Sequence, residues 1–258
     1  MKTIAVHSSK GGSGKTFLVA NIGKVLASMG KKCIIIDCDV VGPSFNTIFS
    51  PETNPKFYTN DILLGKCSAS KAIYQSNMEN LDIIFADPSP MMGEGLLAFE
   101  HATHVNALRN LSQMGLELHN LNYDILLLDT TPGLNPVSIN ALLVAQSVVL
   151  AVRPDSYSLQ TTSHILQSIY TRLRDSAMGS KNYFIVFNQV PHASSEEIES
   201  LLAAYIEELQ KSLDINVLGR IPCLCRELGS DLIRTPLLKE GQKGLEIIAS
   251  LTKKLVES

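Results

Sequence analysis

The stretch Lys10-Gly11-Gly12-Ser13-Gly14-Lys15-Thr16 constrains this chain more than any other. It stands between the branched apolar run Thr3-Ile4-Ala5-Val6 and the periodic stretch Phe17 to Met29, an order that reads strand, glycine-rich turn, helix. Such a turn can aim successive backbone N–H groups inward, and the helix that follows adds the positive end of its dipole. The segment is therefore suited to phosphate oxygens. The pattern G-x-x-x-x-G-K-[ST] opens with glycine, whereas Ser9 occupies that position here. Gly14-Lys15-Thr16 is intact, and a second lysine, Lys10, precedes the glycine pair. Lys15 is expected to set a point charge against terminal phosphates, and Thr16 to offer its hydroxyl to magnesium. Gly11, Gly12, Ser13, Gly14 and Phe17 complete the expected nucleotide-binding segment.

Around this segment, short branched-apolar runs alternate with helical stretches. The runs are Ile34–Ile36, Leu81–Phe85, Ile125–Leu128, Val148–Val152, Phe184–Phe187 and Val217–Ile221. Continuous apolar runs of this length suit strands covered on both faces. Helices are expected near Lys15–Met29, Leu97–Gln113, Val137–Ala145, Leu159–Arg174, Ser195–Leu213 and Gly244–Val256, with Ser194 and Glu197 at capping-box spacing. The alternation predicts an α/β fold: one doubly wound, mainly parallel sheet of about seven or eight strands, helices on both faces, and a single domain over residues 1–258. Pro43 to Asn60, rich in Pro, Ser, Thr and Asn, reads as a long surface loop. An apolar content of 45% with 18% charged residues supports a sizeable core.

In such a sheet, chemistry collects beyond the carboxyl ends of the strands. Ile34-Ile35-Ile36 runs into Asp37-Cys38-Asp39, and Leu126-Leu127-Leu128 into Asp129-Thr130-Thr131-Pro132-Gly133. An Asp closing a hydrophobic strand can hold magnesium directly or through water, and Gly133 can offer its N–H to a terminal phosphate. Each Asp alone also fits a helix or turn cap. Jointly with the glycine-rich turn they point to a nucleotide site.

Lys10 to Thr16 resembles the deviant Walker A motif, K-G-G-x-G-K-[ST], of the MinD/ParA/Mrp group of P-loop ATPases. Asp37-Cys38-Asp39 resembles that group's switch I, and Asp129 to Gly133 its Walker B and switch II. Phe187-Asn188-Gln189-Val190 is similar to the strand end whose Asn reads adenine, and Ile221-Pro222 to the pair before the adenine-facing loop. The resemblance implies an ATP-dependent homodimer with ATP, or ADP after hydrolysis, and Mg2+ as ligands. It further implies catalytic roles for Lys10, Lys15 and Asp39, with Lys10 reaching the partner subunit's nucleotide and Asp39 orienting the attacking water. Thr16, Asp37 and Asp129 would manage magnesium, partly through water. Turnover would be slow, timing the assembly of a dimer that positions or loads a partner.

Other features bound what such a switch operates. A net charge of −3 gives no global attraction to nucleic acid or anionic lipid. Arg220, Arg226, Arg234, Lys239, Lys243, Lys253 and Lys254 mix with acidic residues, so DNA binding is disfavoured. Leu245, Ile247, Ile248, Leu251, Leu255 and Val256 make a broad apolar face suited to a final core helix, which disfavours membrane binding. Ala141 to Val152 is too short to span a bilayer, and the N-terminus runs straight into strand and turn without a signal-peptide pattern. The five cysteines are too scattered for a disulfide framework, so a reduced, cytoplasmic protein is expected. Asp39-Val40-Val41-Gly42-Pro43-Ser44 resembles the Mrp-type D-x-x-G-P-S, and Cys223-Leu224-Cys225 keeps a second reading open: a metal or iron–sulfur carrier with thiolates paired across a dimer. His101 and His104 share a helix face without a ligand set around them, which suits packing.

Overall fold

The computed structural model describes residues 1–89, 101–170, 172, 181–191, 196–212, 214–224 and 237–257. Strands β1 (Lys2–His7), β2 (Cys33–Cys38), β3 (Tyr74–Gln75), β4 (Leu81–Ile84), β5 (Ile125–Thr130), β6 (Ser147–Val152), β7 (Asn182–Val190) and β8 (Ile215–Pro222) form one sheet. Its order is β3-β4-β2-β5-β1-β6-β7-β8. Every pairing is parallel except β3 with β4. The doubly wound α/β architecture expected from the alternating pattern is therefore present. Because β1 lies between β5 and β6, the chain winds to both sides of it, and a crevice opens at its carboxyl end.

The helices are α1 (Lys15–Ser28), α2 (Phe45–Phe49), α3 (Thr59–Leu63), α4 (Ala69–Ala72), α5 (His101–Asn120), α6 (Pro136–Val144), α7 (Ser156–Ile165), α8 (Glu196–Ser212) and α9 (Lys243–Glu257), with a π-helical turn at Leu166–Tyr170. Side chains alternate across each strand, so the apolar runs feed two cores. Ile4 and Val6 of β1 pack with Leu18, Leu26, Ile248 and Leu251 on the face covered by α1 and α9. Ala5 points to the other face, among Leu111, Met114, Leu126, Leu128 and Leu142. Each fully buried aliphatic side chain contributes about 1.5–3 kcal/mol relative to exposure.

Several sequence expectations need correction. Pro43 to Asn60 is not a plain surface loop, because α2 lies within it and α3 begins in it. Phe45 is fully buried against the sheet, and Asn60 Oδ1 accepts the Asp87 N–H at 2.9 Å. Ile48, Phe49, Phe57 and Tyr58 in the same segment also pack against the cores, which the polar composition concealed. The helix expected to start at Leu159 starts at Ser156, where Asp155 Oδ1 accepts the Ser158 N–H at 2.9 Å, and it loosens into the π turn at Leu166. Strand β3 has only two residues, too few to carry a periodic signal. The proposed Ser194 cap, Leu97 and Arg174 lie outside the described residues.

Helix α9 closes the α1 face. Ile248, Leu251 and Leu255 are buried, so its apolar face belongs to the core as expected. Among the described residues, no helix is long and apolar enough to cross a membrane. The segment leading into α9 is held by α1 itself: Asn21 Oδ1 accepts the Leu238 N–H at 2.8 Å, and Lys24 Nζ donates to Leu238 O at 2.6 Å. Asn21 also donates to Phe17 O at 2.8 Å and is fully buried. Asn21→Ala removes the acceptor of a buried N–H and should lower unfolding free energy by about 1–3 kcal/mol. Urea denaturation checks this; an unchanged midpoint would contradict the tether.

Candidate functional site

The site is assembled from the ends of neighbouring strands. β1 ends at His7 and releases the loop Ser8 to Gly14, which turns directly into α1. Gly12 (φ 78°) and Gly14 (φ 85°) are in the left-handed region, which costs glycine little and other residues more. A Cβ on Gly11 or Gly12 would meet nothing within 4 Å, so the loop's inner rim is open to a ligand. A Cβ on Gly14 would lie 2.2 Å from Asn188 Nδ2, which leaves no residue but glycine there. The loop's backbone is braced from β7: Asn188 Nδ2 donates to Ser13 O at 2.8 Å, and Gln189 Nε2 donates to Gly12 O at 3.1 Å.

Lys15 is 6% exposed at the first turn of α1. Burial lowers its pKa, while the charges of Asp129 and Asp39 oppose that shift. Thr16 Oγ1 donates to Asp129 Oδ2 at 2.6 Å. Asp129 is fully buried, and burial pushes its carboxyl up to about 7 against the Thr16 hydrogen bond and the Lys15 charge. The strand register sets Asp37 beside Asp129 across β2 and β5, and Val6 beside Asp129 across β1 and β5. Asp37 is raised well above the usual carboxylate range by burial first and the Asp129 charge second.

The carboxylate oxygens decide what fits between them. Asp37 Oδ1 accepts the Asp39 N–H at 3.0 Å, and Asp39 Oδ1 accepts the Gly42 N–H at 3.0 Å. Asp37 Oδ2 and Asp129 Oδ1 are buried without a hydrogen-bond partner among the described residues. Two such acceptors beside a threonine hydroxyl form an all-oxygen donor set that suits a hard divalent cation such as Mg2+. Together with the open glycine rim and the buried lysine, the residues fit a magnesium nucleotide.

The second strand-end group closes the site from the other flank. Gly133 (φ 73°) donates its N–H to Ser8 O at 2.9 Å, so the loop after Asp129 is stitched to the phosphate loop. Thr131 Oγ1 donates to Cys38 O at 3.1 Å and joins the same loop to the Asp37–Asp39 turn. Pro222 ends β8 opposite Val190, one strand over from Asn188. Phe17 is partly buried against the α1-side core rather than presented wholly to the crevice. Lys10 reaches away from the loop: its Nζ lies 2.8 Å from the centroid of the Tyr157 ring, in the first turn of α7. Tyr157 and Gln189 were not singled out from the sequence; Gln189, in the left-handed region (φ 59°) just after Asn188, was the nearer to being legible.

Cys223 is disulfide-bonded, and Cys225 lies outside the described residues. That bond departs from the fully reduced state expected from the sequence. No cluster of three or more His, Cys, Asp and Glu suited to a metal is found among the described residues. His104 is half-buried with its backbone oxygen accepting from Asn140 Nδ2 at 2.9 Å, a packing role.

The family model described as "AAA domain" matches residues 1–175, more than half of the chain. The chain belongs to this family, in the MinD/ParA group of P-loop ATPases. The sporulation initiation inhibitor protein Soj of Bacillus subtilis is 31% identical over 168 residues, 65% of this chain and 64% of Soj. The chain thus spans just under two thirds of that relative's length. The septum site-determining protein MinD of Pyrococcus horikoshii, solved with Mg-ADP, matches 98% of this chain and 95% of its own at 24% identity and a TM-score of 0.71. The ATP complex of a Cyanothece McdA variant matches 100% and 96% at 16% identity and a TM-score of 0.81. At these identities the two structures establish the shared fold.

The buried carboxylates predict a pH signature. Asp129 has a folded pKa of about 7 against an ordinary 3.8, so the folded state holds its proton where the unfolded chain has released it. The Asp129 contribution to the stability of the metal-free protein should therefore fall as pH rises from about 4 to about 7, against the opposite contribution of buried His7, whose pKa is lowered to about 3. Asp129→Asn should melt higher than wild type at pH 8 without metal, and that advantage should shrink toward pH 5. Thermal melts across that range check this, and parallel curves for the two proteins would contradict it.

Proposed function

We propose that the chain, acting as a single unit over residues 1–258, is a slow, Mg2+-dependent ATPase whose ATP-bound homodimer positions or loads a protein partner. The observation that carries this reading is the Thr16–Asp129 hydrogen bond at 2.6 Å beside the buried Lys15, at the mouth of an open glycine-rich loop. Lys15 binds the β- and γ-phosphate oxygens, with the loop N–H groups from Gly11 to Thr16 around them. Thr16 and Asp129 hold magnesium and Asp37 orients its water; the bound ion would neutralise charge on the phosphates. Asp39 orients the attacking water. Asn188 and Pro222 flank the base, and Gly133 senses the terminal phosphate.

Lys10 serves the partner subunit's nucleotide, where a cation stabilises charge developing in the transition state. It must leave Tyr157 to do so. Support for the switch comes from the stitching of the Asp129–Gly133 loop to both the phosphate loop and the Asp37–Asp39 turn. Support for a positioning role comes from relatives such as Soj and the chromosome partitioning protein ParA of Caulobacter vibrioides, 27% identical over 171 residues. A cytoplasmic setting without stable membrane or DNA attachment fits the mixed charge and the buried α9 face.

Asp39→Ala should accumulate an ATP-dependent dimer with phosphate release reduced at least tenfold, since it removes a water-orienting group while sparing the phosphate contacts. Lys15→Ala should remain monomeric in ATP. Sedimentation velocity with a phosphate-release assay checks both; wild-type turnover in the two variants would sink the reading.

A further inference from the structure

The far side of the site contains a polar pair that neither the phosphate loop nor the magnesium ligands account for. His7 is the last residue of β1 and Thr130 the last of β5, and both are fully buried. Their strands carry the two halves of the site. β1 launches the loop that bears Lys15 and Thr16, whereas β5 bears Asp129. The backbone register between them runs from Lys2↔Ile125 to Val6↔Asp129. One residue further, side chains take over. Thr130 Oγ1 donates to Val6 O at 2.9 Å, and the same oxygen lies 2.8 Å from His7 Nδ1.

Because the threonine proton is committed to Val6 O, His7 Nδ1 must be the donor, which fixes the Nδ1–H tautomer. Burial, then the Lys15 charge, pushes the His7 pKa down to about 3, so the ring stays neutral. The ring also packs against Tyr170, with centroids 6.2 Å apart. His7 Nε2 and the Tyr170 hydroxyl, an acceptor and a donor, are both buried without hydrogen-bond partners among the described residues. An apolar side chain could fill this place without leaving an acceptor unpaired. The Nδ1–H on Thr130 Oγ1 is thus the one hydrogen bond that this buried ring makes among the described residues.

We propose that His7 is a positioning residue for the magnesium site: through Thr130 it holds the end of the strand that launches the phosphate loop against the end of the strand that carries Asp129. The inference rests on the proposed magnesium-nucleotide reading. His7 touches neither nucleotide nor ion. It acts on the spacing between Thr16 and Asp129, the two groups proposed to share the metal. Groups that orient metal ligands from behind change metal affinity or activity by about 10–100-fold when removed.

The test uses a fluorescent ADP analogue on the full chain, titrated in EDTA and in Mg2+, alongside ATP turnover. His7→Leu should bind the probe in EDTA as wild type does, lose about tenfold of the tightening that Mg2+ adds, and lose about tenfold in kcat. Asn places an N–H near the position of Nδ1 and Gln near that of Nε2, so His7→Asn should recover most of the Mg2+ response while His7→Gln should not. Thr130→Val should match His7→Leu, and the double variant should be no worse than either. Equal behaviour of the Asn and Gln variants would overturn the proposal, including where His7→Leu fails to fold. Loss of probe binding in EDTA as well would reduce His7 to a structural filler. If the wild type shows no Mg2+-dependent tightening, the magnesium-nucleotide reading itself fails, a result distinct from wild-type behaviour of the variants.

Discussion

The hydrogen bond from Thr16 to Asp129 is the contact on which the rest of the site depends. It joins the first turn of α1 to the end of β5, and Lys15 is buried beside it. Burying one ammonium and two carboxylates in the end of a sheet is unfavourable unless each charge finds a counterpart. Here the counterparts are only partly present. Lys15 has Asp129 and Asp39 near it, yet two carboxylate oxygens remain without partners among the described residues. The folded chain thus holds an unfinished electrostatic arrangement, which a cation and an anionic ligand together complete.

The fold sustains this arrangement by rigidity around it. β1, β2 and β5 are buried over nearly their whole length and locked in register, so the residues at their ends have little freedom to relax toward solvent. The apolar faces of α1 and α9 clamp one side of the sheet, and α5 and α6 the other. The strand register keeps Asp37 and Asp129 side by side, and their raised pKa values relieve the repulsion by protonation.

Most of the architecture was legible because it follows from composition in short windows. Ile34–Ile36 and Leu126–Leu128 can only be covered strands, and Gly14-Lys15-Thr16 after a strand leaves few alternatives. The unread parts depend on contacts distant in sequence. Phe45 anchors a segment rich in Pro, Ser, Thr and Asn, and the two-residue β3 pairs only with β4. Asn188 also donates its amide N–H to Ser13 O, 175 positions away, a contact no linear pattern shows. Nothing in a linear pattern reports that Lys10 rests on Tyr157, since an aromatic at a helix start carries no spacing rule. Periodicity finds elements; it does not find which loop leans on which.

The brace from β7 has a consequence for how this loop meets its ligand. With Asn188 and Gln189 holding two of its carbonyls from behind, and with no room at Gly14 for a side chain, the loop's shape is settled when the sheet forms. Binding then orders little backbone, and the ligand meets a mould already cast. The same brace ties the end of β7 to the phosphate loop.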